Sequence, residues 1–117
     1  MCQPTTLTDG RAATWCYANK PFKVGARTAD IDLYFLGSEP TAPLIEIQIH
    51  VRGCNEDELT GWLRTNFGGQ IDQRPKRGYW QNPHMWIGAL LPSDPGLCVV
   101  HMLPLSEQAE IARIKAQ

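Results

Sequence analysis

Apolar and polar residues alternate most cleanly along Leu44–Arg52. There Ile45, Ile47, Ile49 and Val51 point to one side, and Glu46, Gln48, His50 and Arg52 to the other. Asp30–Leu36 alternates in the same way, with Ile31, Leu33 and Phe35 opposing Asp30, Asp32 and Tyr34. A period of two predicts strands with one buried and one wet face, and Gly37–Pro43 joins them as a hairpin. Met85–Leu91 and Leu97–Leu103 are unbroken apolar runs separated by the Pro- and Gly-rich turn Pro92–Gly96. Such runs predict a second hairpin, covered on both faces and so central in a sheet. Ala13–Ala18 and Phe22–Ala26, around Asn19-Lys20-Pro21, are fainter strand signals.

Two helices complete the pattern. Asn55 followed by Glu58 forms a capping box ahead of Leu59, Trp62, Leu63 and Phe67, which recur at helical spacing, and Gly68-Gly69 ends the segment. Ser106 is placed to cap a terminal helix over Glu107–Lys115, acidic at its start and basic at its end. The order predicts one α+β domain over residues 1–117, without internal repeats. It should hold a mostly antiparallel sheet of about five to six strands with both helices on one face.

Composition narrows the function. In 117 residues, 11 basic and 12 acidic side chains leave a net charge of −1, which argues against recognition of nucleic acid or anionic membrane by bulk charge. No apolar stretch approaches the ~20 residues of a membrane span, and the polar start MCQPTTLTDG lacks the apolar core of a signal peptide. Cys2, Cys16, Cys54 and Cys98 are scattered, with no CxxC pair. That pattern predicts free thiols in a reducing cytoplasm, Cys16 and Cys98 as small core residues and Cys2 on a loose terminus.

Three constellations carry possible chemistry. The first is the polar side of the alternating strands: Asp30, Asp32, Glu46, Gln48, His50 and Arg52. A strand Asp (Asp32) followed beyond a hairpin by Glu46-Ile47-Gln48 resembles the core of PD-(D/E)xK nucleases. The resemblance implies a Mg²⁺ held by the two carboxylates, with Gln48 standing where that family has its water-activating lysine. The plainer expectation is a solvated face with charges paired across strands and no metal or other cofactor.

The second constellation is His50, Cys54, Cys98 and His101, the residue types of a zinc site. Cys98 and His101, three apart on a strand, face opposite sides. Cys54, just before a helix cap, is a candidate nucleophile with His50 as base. In an apolar strand His101 reads better as a hydrogen-bonded core histidine.

The third constellation is Gln73–His84, where Arg74, Lys76 and Arg77 adjoin Tyr79 and Trp80 while Pro75, Gly78 and Pro83 predict partial loop. Arginine, tyrosine and tryptophan dominate protein interface hot spots, and the same set suits phosphates and stacked bases. The competing expectation lays the two rings over the core.

The sequence therefore predicts a small cytoplasmic binding module, an inhibitor or adaptor, holding a protein partner through Arg74, Lys76, Arg77, Tyr79 and Trp80. The alternatives are nucleic-acid binding by the same loop and a metal-dependent nuclease at Asp32, Glu46 and Gln48. Exposed sheet edges leave a homodimer open.

Overall fold

The computed structural model describes residues 1–69, 72–94 and 96–117. Eight strands form a single antiparallel sheet in the order β1 (Cys2–Thr6), β2 (Ala12–Cys16), β4 (Arg27–Leu36), β5 (Leu44–Arg52), β9 (Leu97–Pro104), β8 (Met85–Asp94), β7 (Arg77–Gln81), β6 (Asp72–Arg74). The short β3 (Phe22–Val24) pairs with the early part of β4. The helices are α1 (Glu56–Phe67), after β5, and α2 (Gln108–Lys115), after β9. The chain thus runs through a strand meander and a helix twice, and the two meanders meet where β5 pairs with β9. The α+β class and the antiparallel sheet are as predicted, but the sheet is wider than about five to six strands.

Register fixes which side chains share a face. One row runs Tyr79–Gly88–His101–Gln48–Asp32 across five strands, and the adjacent row on the opposite face runs Trp80–Ile87–Met102–Ile47–Leu33. Leu59 and Leu63 of α1 enter the cluster that holds Trp80, Ile87, Val100 and Ile49. Ile111 and Ile114 of α2 enter a separate cluster with Tyr79, Trp86 and Leu103. Tyr79 precedes Trp80, Trp86 precedes Ile87 and Met102 precedes Leu103, so alternation puts the two clusters on opposite faces. The expectation of both helices on one face is corrected: each covers its own. This is why Met85–Leu91 and Leu97–Leu103 are apolar apart from His101, as befits strands buried on both faces.

Local signals behave as expected at α1, where the Asn55 side chain accepts from the Glu58 amide at 3.1 Å and Gly68 closes the helix at φ 88°. The Glu58 carboxylate, however, goes to Arg27 at 3.0 Å. At α2 the cap is Glu107, without a side-chain cap bond, in place of Ser106. The predicted turn at Pro92–Gly96 is shorter than expected because β8 extends to Asp94; Pro95 lies outside the described residues.

The cysteine expectation is overturned. Cys2 and Cys16 are direct partners in the β1–β2 ladder and form a disulfide; a second joins Cys54, ahead of α1, to Cys98 on β9. Among the described residues no cysteine is free. Cys2 therefore begins a strand that its bland CQPTT sequence hides. By chain entropy a cross-link spanning 14 positions contributes about 3 kcal/mol and one spanning 44 about 4 kcal/mol.

One glycine is demanded by packing. A Cβ on Gly88 would lie 2.3 Å from Cη2 of the Trp86 ring, whereas nothing lies within 4 Å of one on Gly61. Gly88→Ala is expected to destabilise by about 1–3 kcal/mol and Gly61→Ala, inside α1, to stabilise by up to about 1 kcal/mol, as read by denaturant unfolding. Reduction of both disulfides should lower the melting temperature by on the order of 10 °C or more. An unchanged melting temperature under dithiothreitol would contradict both linkages.

Candidate functional site

The basic, aromatic segment comes apart in three dimensions. Residues 72–81 form a hairpin rather than a loop, with Pro75 and Lys76 at its tip, where Lys76 takes a left-handed φ of 59°. Alternation along β7 sends the two rings in opposite directions. Tyr79 packs on Trp86 under α2 and is 1% exposed, and Trp80 lies in the α1 core at 0%. Lys115 lies over both the Tyr79 and Trp86 rings, at 5.7 and 6.0 Å. Arg77 is half-buried and donates to the Ile114 carbonyl at 3.5 Å; Arg74, beside Asp72 at 3.4 Å, and Lys76 are exposed. The five residues therefore form no common surface, and the rings needed for a hot spot or for base stacking belong to the core. The competing expectation, with both rings laid against the core, is the one that strand alternation fulfils.

The zinc and nucleophile sets also dissolve, because Cys54 and Cys98 are bonded to each other. The polar strand face, in contrast, assembles as predicted: Asp30 faces His50, Asp32 faces Gln48, and Tyr34 faces Glu46. Arg52 pairs with Asp30 across the strands at 3.1 Å, and His50 lies 3.6 Å from Asp32. The nuclease triad gains nothing from this arrangement. Gln48 donates to Glu46 at 2.7 Å, and among the described residues no three His, Cys, Asp or Glu side chains are placed to hold a metal ion.

The sequence did not point to the cleft beside this face. Its floor is Tyr34, Glu46 and Gln48; one wall is α2, with Glu107, Glu110 and Arg113, and the other is the end of β1 and its turn, Thr5–Asp9 and Arg11. Its volume is about 220 Å³. The walls are tied together by contacts between residues about a hundred positions apart. Arg11 donates to Glu107 at 2.6 Å and to Asp9 at 2.8 Å, and the Thr8 hydroxyl donates to Glu110 at 3.1 Å. Arg113 pairs with Glu110 one helical turn away.

Glu46 is the anchor of the floor. It is 8% exposed, and the one oxygen, Oε2, meets both Nδ1 of His101 at 2.8 Å and the Gln48 amide. His101, 6% exposed, is thus the hydrogen-bonded core histidine expected, but its partner is the carboxylate that lines the cleft. The only sequence signal for this pair is the polarity of Glu46 and His101 within otherwise apolar surroundings; their convergence needs the β5–β9 register.

Tyr34 reports on the charge of the floor. Its burial, followed by the charges of Asp32 and Glu46, pushes its hydroxyl above the usual tyrosine range. The Arg113 guanidinium holds the Glu110 carboxyl below the usual glutamate range. Comparison with protein-family models, curated proteins and solved structures finds no match to this chain.

Because folding holds Tyr34 neutral, its stabilising effect is complete below about pH 10, the unfolded tyrosine value, and is lost as pH rises through the folded value. Site-resolved NMR titration should find Tyr34 deprotonating above pH 10, with Glu46→Gln moving the midpoint downward. A Tyr34 midpoint unmoved by Glu46→Gln would contradict the proximity of the two groups.

Proposed function

We propose that this chain is a binding module that holds a protein partner by seating one partner side chain in the cleft between the sheet and α2. The observation that carries this reading is the cleft's size together with its rigid polar floor. Its volume of about 220 Å³ lies below the ~300–1,000 Å³ typical of small-molecule and cofactor sites and matches a single inserted side chain. Interfaces concentrate their energy at such points, where one anchor enters a pocket and water is excluded around it.

The floor is preorganised. Glu46 is held by Gln48 of its own strand and by His101 of β9, and the ion pair of Arg11 with Glu107 ties the β1 wall to α2. Such a site loses little freedom when occupied, which favours affinity from a small contact. The partner class is that expected from sequence, an inhibitor or adaptor working by contact, with the surface moved from Arg74–Trp80 to the cleft. Exposed Arg74 and Lys76 lack the stacked rings that a nucleic-acid reading requires.

This reading also sets the protein in an oxidising compartment rather than the cytoplasm, since cysteine pairs persist there and are reduced in the cytosol. No helix among the described residues is long and apolar enough to cross a membrane.

Thr6 is exposed on the cleft rim, so Thr6→Trp should fill the opening without disturbing the core. Affinity capture from the native host should recover a partner with the wild-type bait and with an Arg74→Ala/Lys76→Ala bait. The Thr6→Trp bait should lose about tenfold or more in affinity at unchanged melting temperature. If the Arg74/Lys76 bait fails and the Thr6→Trp bait succeeds, the hairpin tip is the surface and the cleft is not.

A further inference from the structure

We infer that the side chain received by the cleft is a cation, the guanidinium of arginine or the ammonium of lysine. The inference deepens the reading above and rests on it. Four carboxylates line the cleft, from Asp9, Glu46, Glu107 and Glu110, against two guanidinium groups, from Arg11 and Arg113, leaving an excess of two negative charges. Should the imidazole of His101 behind the floor carry a proton, one negative charge still remains, so the sign does not depend on its state.

The two arginines are already committed. Arg11 divides itself between Asp9 and Glu107, and Arg113 is taken by Glu110. Neither is set to receive an anionic guest without breaking an existing pair.

Glu46 is the group left incomplete. Both of its hydrogen bonds among the described residues meet Oε2, from His101 and from Gln48, which leaves Oε1 facing the solvent of the cleft although the residue is only 8% exposed. A carboxylate with one oxygen free on the cleft side accepts most strongly from a donor that also carries positive charge. The half-buried Tyr34 ring on the same floor adds a face that attracts cations. A neutral guest would supply the hydrogen bond and leave the charge excess uncompensated. An anionic guest would add to it.

The test uses the full, disulfide-bonded chain and three soluble probes, followed by NMR. L-Argininamide and L-lysinamide should shift the resonances of Tyr34, Glu46 and Gln48 saturably. L-Citrullinamide, which keeps the arginine shape and the shared α-ammonium but lacks the side-chain charge, should bind about tenfold more weakly or worse. Glu46→Gln should weaken argininamide binding by a similar factor. Because that variant also alters the bond to His101, Asp9→Asn on the exposed wall serves as a second variant and should weaken binding in the same direction.

Equal affinity for citrullinamide and argininamide overturns the inference, as does the absence of cleft shifts with every probe. The two readings fail separately. Partner capture abolished by Thr6→Trp with citrullinamide equal to argininamide keeps the cleft as the binding site and removes the charge preference. Capture indifferent to Thr6→Trp removes the site itself.

Discussion

The structure depends on a sheet covered on both faces at one end and on fewer at the other. α1 closes one face over Trp80, Ile87 and Val100, and α2 closes the other over Tyr79, Trp86 and Leu103. Strands β7, β8 and β9 are consequently pressed from both sides, so their buried residues are apolar or small apart from His101, which Glu46 meets. The Trp86 ring lying over Gly88 shows how little room that leaves. Beyond β9 the face under α2 becomes polar, and the cleft forms at this change. A helix shaped to cover an apolar surface meets Glu46, Gln48 and Tyr34 at its far side. The gap between them is bridged by the β1–β2 turn through Arg11 and Thr8.

Glu46 and His101 lie on the seam between the two strand-and-helix halves. Each comes from a different half, and both are buried. A hydrogen-bonded pair in this position fixes the register of β5 against β9 as well as shaping the floor, because slipping either strand by one residue would send one partner to the opposite face. The strand register and the cleft floor therefore draw on the same two side chains. A small domain also gains from cross-links. One disulfide closes the outermost hairpin, and the other clamps the start of α1 to β9, a fully buried attachment at Cys98. The first link holds the edge strand β1, whose residues contribute little to the core.

Much of this was legible wherever burial follows a simple period. Leu44–Arg52 and Asp30–Leu36 announce their buried faces by alternation, Met85–Leu91 and Leu97–Leu103 announce a doubly covered hairpin, and Asn55 with Gly68 brackets α1. The failures share a cause. β1 has no apolar alternation to show, and β6–β7 carries Pro75 and Gly78, which suggest a loop but sit at a hairpin tip and opposite Ala89. The Arg74–Trp80 segment reads as one surface by composition, which carries no information about the side each residue faces. The cysteines looked free because pairing is a property of distance in space, and separations of 14 and 44 positions give no hint of it.

Taken alone, the order of residues determined the class of fold, the two main hairpins, the first helix and the side each alternating residue would face. These follow from short-range geometry, the strand period of two and the helical period of 3.6. Tertiary structure decided which faces became shared: that the helices lie on opposite sides, that Tyr79 and Trp80 are interior, that four cysteines form two bonds, and that Glu46 meets His101 beneath a cleft walled by α2. Each of these depends on strand order and register between distant segments, which local preference does not encode.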